Sequence, residues 1–174
     1  GLPDMELVFD PEDLREAWDG MSRIALGELM MKGKAFPLCG RSALKRAIKA
    51  WQEKGYQPMI GIETEAYVYQ KNHENLWKIY DMPGSYVYGT GPFNDPAGLM
   101  DLIWQMAAQC NLPIESFNSE YDAGQFEMTL KYADALKAAD DAFLFRLMAK
   151  ELLYQRGYLL SYLPKPEPEL SGNG

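Results

Sequence analysis

The sequence predicts an α+β domain, and three observations carry that prediction. "GIETEAYVY" at 61–69, a polar turn "KNHEN" and then "LWKIYD" read as an antiparallel hairpin with a five-residue loop. Segments 42–54, 96–110 and 133–156 space their apolar residues at helical intervals. The third observation is bulk: 174 residues with 47% apolar content suffice for one globular domain with a sizeable core.

The elements follow in order. "DMELVF" alternates as a strand, Asp10 is placed to cap a helix in "DPEDLREAWDGM" with Pro11 at its first position, and "RIALGELM" reads as another strand. This short opening suits the tail of a separate domain. Leu44, Ala47, Ile48 and Trp51 form the apolar stripe of the helix at 42–54, which Gly55 ends. His73, the only histidine, falls in the hairpin turn and reads as an exposed loop residue. The Gly/Pro-rich loop 84–96 ends at Asp95, a cap for the helix at 96–110 with its stripe of Leu99, Leu102, Ile103 and Met106. So irregular a loop suits a binding surface.

Segments 112–121 and 123–132 read as strands. In the second, Phe126, Met128, Leu130 and Tyr132 alternate with Gln125, Glu127, Thr129 and Lys131, so Glu127 points away from the apolar face. The helix at 133–156 spans roughly 35 Å at about 1.5 Å per residue and stops at Gly157. A strand at 158–163 and a Pro/Gly loop close the chain, the glycines letting backbone approach a ligand closely.

Charge and composition exclude several functions. Seventeen basic against 25 acidic residues give a net charge of −8, and no Lys/Arg run offers a track for a phosphate backbone, so nucleic acid is not an expected partner. A membrane is not expected either, because no apolar stretch of about 18 residues occurs. Cys39 and Cys110 lie far apart without a CxxC pairing and read as two reduced, buried thiols of a cytoplasmic protein. The start at Gly1 and the stop at "SGNG" are read as cuts in a longer polypeptide.

The candidate chemistry lies in the carboxylates. Glu63 and Glu65 share one strand face while Ile62, Thr64, Ala66 and Val68 occupy the other. Like charges that close repel unless water or a cation compensates them. A solvated sheet face is the plain reading. Tyr67 and Tyr69 continue that face, however, and Glu120 and Glu127 lie on neighbouring expected strands. Four convergent carboxylates would make an oxygen-rich site for Mg²⁺ or Mn²⁺, hard ions that also hold nucleotide phosphates.

Three motifs in order, "GIETEAYVY", "ESFNSEYDAGQFEMTLKY" and "LPKPEPELSGNG", resemble the glutamine synthetase family of ATP-dependent glutamate–amine ligases from about Arg41 to the last residue. "DMELVFD" resembles the closing part of that family's N-terminal β-grasp domain. The resemblance implies residues 1–39 as the end of that domain and 40–174 as the first part of a catalytic domain built on a curved antiparallel sheet. It implies Glu65, Glu120 and Glu127 as ligands of one metal ion and Glu63 of a second. It also implies Glu115 as a nucleotide contact, Tyr132 as an adenine-stacking aromatic, Gly172 as a contact of glutamate and Tyr88 as an amine-site tyrosine. Glutamate, ATP and ammonia are the implied substrates, with a polyamine or other organic amine as the alternative acceptor. The implied assembly is a homo-oligomer of two hexameric rings with shared sites, and a non-catalytic ring protein is the alternative from another class.

Departures from the family pattern qualify this. The family motif continues to a metal-binding histidine, arginines and a further metal glutamate beyond "SGNG", so the isolated chain is expected to be inactive. Ser171 stands where many members have Asn, Asn118 where many bacterial ones have His, and Glu167 where an apolar residue usually follows Lys-Pro. The loop "SYVYGTGPFND" differs from the Tyr-Phe-Pro stretch of ammonia-using members.

Overall fold

The opening segment is built of short strands: β1 (Glu6–Val8), β2 (Arg15–Glu16), β3 (Arg23–Ile24), β4 (Glu28–Met31) and β5 (Lys34–Ala35). The computed structural model describes residues 4–84 and 86–174; Ser85, within the expected loop 84–96, lies outside the described residues. β1, β4 and β5 make one small antiparallel sheet, and β2 pairs with β3 in another.

Two expectations for this segment are corrected. Asp10 does cap, accepting the Glu12 N–H at 2.9 Å, but the helix is only a 3-10 turn, Pro11–Asp13. Tertiary partners override local propensity there: Arg15 is drawn to the buried carboxylate of Asp141 at 2.5 Å, and the Trp18 indole N–H reaches Glu151 at 2.7 Å. The single strand expected in "RIALGELM" is broken between β3 and β4. Gly27 sits in that break, where an added Cβ would meet the Val8 carbonyl oxygen at 2.7 Å.

Helix α1 (Gly40–Gln52) follows, ended as expected before Gly55, which takes φ of 85°. Its expected apolar stripe is only half covered: Leu44 and Ile48 are partly buried while Ala47 and Trp51 are exposed. Then come β6 (Met59–Lys71), β7 (Trp77–Ile79), α2 (Leu99–Gln109), β8 (Ile114–Ser119), β9 (Gln125–Asp134), α3 (Ala135–Gln155) and β10 (Tyr158–Ser161). The hairpin β6–β7 forms as expected, with His73 exposed in its turn. α2 starts three residues later than expected: Asp95 still caps, but by accepting the Met100 N–H at 2.7 Å across Gly98, which occupies the left-handed region. The strand expected at 158–163 ends at Ser161.

The five-stranded sheet runs β10-β6-β9-β8, with β7 paired to the far end of β6, and every pairing is antiparallel. One face is apolar. Ala66, Val68, Phe126, Met128 and Leu130 pack there against Ile103 and Ala107 of α2 and Phe145, Met148 and Leu152 of α3. Burial of such side chains, about 1.5–3 kcal/mol each, fixes which way each strand faces. The acidic residues of the alternation are therefore forced onto the opposite face.

Charge ties the opening segment to this core. The Arg41 guanidinium grips Asp140 at 2.9 Å and reaches Asp13 at 3.4 Å, while Arg15 and Lys137 flank Asp141. Cys39 and Cys110 are both free and buried, as expected.

Candidate functional site

The polar face of the sheet gathers carboxylates by register. Glu65 on β6 lies directly opposite Glu127 on β9, and Glu127 lies opposite Asn118 on β8, whose amide donates to Glu127 Oε2 at 3.4 Å. Opposed residues of an antiparallel pair have Cβ atoms about 4.5–5.5 Å apart, so Glu65 and Glu127 are neighbours. Glu120 follows β8, its backbone N–H donating to the Gln125 carbonyl oxygen at 2.8 Å, and it is only 9% exposed. Burial first, then a hydrogen bond shared with Glu127 and the charges of Glu65 and Glu127, push the Glu120 carboxyl above the ordinary range.

Among the described residues, no three acidic, thiol or imidazole groups are already gathered at metal-binding distance. Glu65, Glu120 and Glu127 share one face of the sheet without forming a closed ligand set. Its donors are all oxygen, which fits a hard divalent cation. Glu63 stands outside the trio, exposed and opposite Thr129, two residues along the same face of β6.

Two irregularities in the sheet position the expected nucleotide contacts. Ile114 pairs with Leu130 and Ser116 with Thr129, so Glu115 is an extra residue on β8. Likewise Ile62 pairs with Leu130 and Ile60 with Ala133, which leaves Lys131 and Tyr132 opposite the single Gly61. These are β-bulges, which re-aim side chains. The second corrects the expected alternation: Tyr132 leaves the apolar face and is 69% exposed beside Gly61. Glu115 is exposed at the same end of the sheet.

The loop carrying Tyr88 is stapled to the residue before Glu120. The Tyr88 N–H donates to the Ser119 carbonyl at 2.8 Å, the Ser119 N–H to the Gly89 carbonyl at 3.2 Å, and the Gly89 N–H to the Ser119 hydroxyl at 3.0 Å. Tyr88 adopts φ of 58°, a left-handed conformation uncommon outside glycine, and is exposed, as are Tyr86 and Phe93.

The terminal loop crosses the carboxylate face as a strap. Asn173 closes it, its N–H donating to the Pro164 carbonyl at 2.8 Å and its side-chain amide to the Leu163 carbonyl at 2.8 Å. Gly172 is required sterically, since an added Cβ would lie 2.8 Å from the Pro164 carbonyl oxygen. The buried Gln125 joins strap to site: its amide nitrogen lies 3.2 Å from Glu65 Oε2 and 3.0 Å from both the Gly172 carbonyl and Asn173 Oδ1. The Gly174 N–H also donates to Glu65 Oε2, at 2.9 Å.

Eight residues were expected here. Glu65, Glu120 and Glu127 come together, Glu63 flanks them, Gly172 lies on the strap above, and Tyr88, Glu115 and Tyr132 stand at its margins. Sequence reasoning missed Gln125 and Asp122. Gln125 was assigned to the polar side of its strand, and the available signal was its place two residues before Glu127 on the same face. Asp122, in a turn, carried no such periodic signal.

Comparison with known proteins matches residues 37–174 to the family model described as glutamine synthetase, catalytic domain. Glutamine synthetase of Pyrococcus furiosus is 29% identical over all of this chain and 40% of its own length. Glutamate–isopropylamine ligase of a Pseudomonas species is 26% identical over 99% of this chain and 39% of its own. The solved structure titled "GmaS/ADP complex" superposes with a TM-score of 0.85 at 25% identity, covering 97% of this chain and 40% of that one. The chain thus spans about 40% of the length of the relatives it matches. With the family model covering most of its residues, and the antiparallel sheet and its carboxylate face in place, the chain belongs to the glutamine synthetase family.

Proposed function

We propose that the full-length protein is an ATP-dependent ligase that joins ammonia to the γ-carboxylate of glutamate. The observation that carries this reading is the convergence of Glu65, Glu120 and Glu127 from three chain segments on one sheet face beneath the glycine strap. Divalent ions, Mg²⁺ or Mn²⁺, would be held by this trio and by Glu63, and when bound they supply positive charge that offsets repulsion between two anionic reactants. The γ-carboxylate oxygen attacks the terminal phosphoryl group of ATP, ADP leaves, and γ-glutamyl phosphate results. The amine nitrogen then attacks the acyl carbon, phosphate leaves, and the nitrogen gives up a proton. Glu115 and Tyr132 are assigned to the nucleotide, Gly172 to glutamate and Tyr88 to the amine. The strap keeps water from the acyl phosphate.

The finer architecture belongs to the same proposal. Residues 1–39 are read as the end of a β-grasp domain and 40–174 as the first part of the catalytic domain, supported by the start of the family match at 37. The assembly is read as a dodecamer of two hexameric rings and its compartment as the cytoplasm; among the described residues no helix is long and apolar enough to cross a membrane.

One observation favours a second acceptor class. Tyr86, Tyr88 and Phe93 are 70–74% exposed on the loop stapled to Ser119, a surface suited to the apolar body of an organic amine. A relative named for isopropylamine supports the same class. The deciding experiment is ATP-dependent phosphate release by the full-length protein with glutamate, Mg²⁺ and either ammonium or a panel of amines. Turnover with ammonium supports the proposal and turnover only with an organic amine moves it to the second class. Silence with all of them, together with no binding of Mn²⁺ or nucleotide, favours a non-catalytic ring protein.

A further inference from the structure

We propose that Tyr67 and Tyr69 are positioning residues whose hydroxyls latch the glycine strap over the carboxylate face, and so set the height at which Gly172 meets the amino-acid substrate. Both tyrosines project from β6 on the same face as Glu63 and Glu65. Their rings are enclosed, Tyr67 completely and Tyr69 to within 9%, so the hydroxyls are held at fixed points. The Tyr67 hydroxyl lies 2.9 Å from the Ser171 carbonyl oxygen and 3.1 Å from Asp122 Oδ2, and its single proton is shared between these acceptors. Asp122 in turn accepts the Ser171 N–H at 2.5 Å. Ser171 is thereby gripped by its N–H and its carbonyl one residue before Gly172. The Tyr69 hydroxyl donates to Glu167 Oε1 at 2.8 Å and holds the other limb of the strap.

Ser171 and Glu167 lie on the two limbs of the strap, and each is met by one of these two side chains, Ser171 through its backbone. The latch also reaches the metal-site trio, because Gln125 and the Gly174 N–H tie the same strap to Glu65 Oε2. Strap and carboxylate face are therefore joined through Glu65 as well as through the two tyrosines.

This inference rests on the ligase reading, and its test separates the two. Tyr67→Phe and Tyr69→Phe remove one oxygen each and keep the buried rings; Asp122→Asn is a second route to the Tyr67 limb should Tyr67→Phe fold poorly. In the full-length protein, Tyr67→Phe is expected to raise the KM for glutamate about tenfold, the effect of one lost hydrogen bond to a charged network. The KM values for ATP and amine stay within about twofold, and hydrogen exchange at the Ser171 and Gly174 amides quickens about tenfold. The double variant exceeds either single one. An unchanged glutamate KM, or equal rises in all three KM values, overturns the positioning role. Should the wild-type protein turn over no glutamate, the ligase reading falls by itself, and unchanged exchange at Ser171 and Gly174 in Tyr67→Phe then overturns the latch as well.

Discussion

Each carboxylate of the trio has different surroundings, and the differences follow from position. Glu65 spends Oε2 on the strap, where Gln125 and Gly174 donate to it. Glu127 sits in the middle, opposite Glu65 and bonded to Asn118. Glu120 is the most enclosed, and burial together with the other two charges opposes its ionisation. A buried carboxylate without compensation is costly, so a cation bound here would stabilise the fold. Replacing the central residue, Glu127→Gln, removes one of the repelling charges but also one of the proposed metal ligands. The melting temperature of the metal-free full-length protein is therefore expected to hold or rise. The stabilisation by Mn²⁺, about 2.7 kcal/mol at 100 times its Kd, is expected to fall below about 1 kcal/mol. Thermal denaturation with and without the ion checks both; an undiminished Mn²⁺ effect would show that Glu127 is not a ligand.

Among the elements, the opening strands are held to the core by charge as well as by the packing of Trp18, Ile24 and Leu26. β4 is clasped to α1 by Glu28, which accepts the Ser42 hydroxyl at 2.7 Å and pairs with Lys45. The hydrogen bond from Lys45 first, then that from Ser42, with the charges of Lys45 and Arg41, hold the Glu28 carboxyl below the usual range. A folded-state pKa below the unfolded one gives stability that is fully present above the unfolded value and is lost as pH falls through the folded one. Glu28→Gln is accordingly expected to cost about 1 kcal/mol at pH 7, kept small by partial exposure and ionic screening. That difference should begin to shrink as pH falls through the ordinary carboxylate range, about 4, and vanish only below the lowered folded value. Urea unfolding of both proteins across pH tests it, and a difference that does not depend on pH would assign the effect to packing.

For the whole molecule, the 174 residues carry a carboxylate trio, a flanking glutamate and a strap, while the relatives they match are about two and a half times as long. The isolated chain is expected to yield no detectable γ-glutamyl amide in an ATP-dependent assay that the full-length protein passes, and measurable product from it would relocate the remaining catalytic groups into these residues. What the sequence by itself determined was the alternation: period 2 in 61–69 and 123–130 assigns Glu63, Glu65 and Glu127 to one face, and period 3.6 marks three of the helices. Motif order was enough to name the family. The rest depended on partners distant in the chain. "DPEDLREAWDGM" has a valid cap and still does not become a helix, because Asp141 and Glu151 on α3 hold Arg15 on a short strand and Trp18 in the turn that follows it. Tyr132 follows its strand's period yet turns outward, because the bulge opposite Gly61 depends on how β9 registers against β6. The latch of Tyr67 on Asp122 and Ser171 joins residues 55 and 104 positions apart, and no local pattern encodes which buried hydroxyl will meet which loop. Periodicity is a property of one segment and is legible in it; register, bulges and latches are properties of pairs of segments, and only the packed chain decides them.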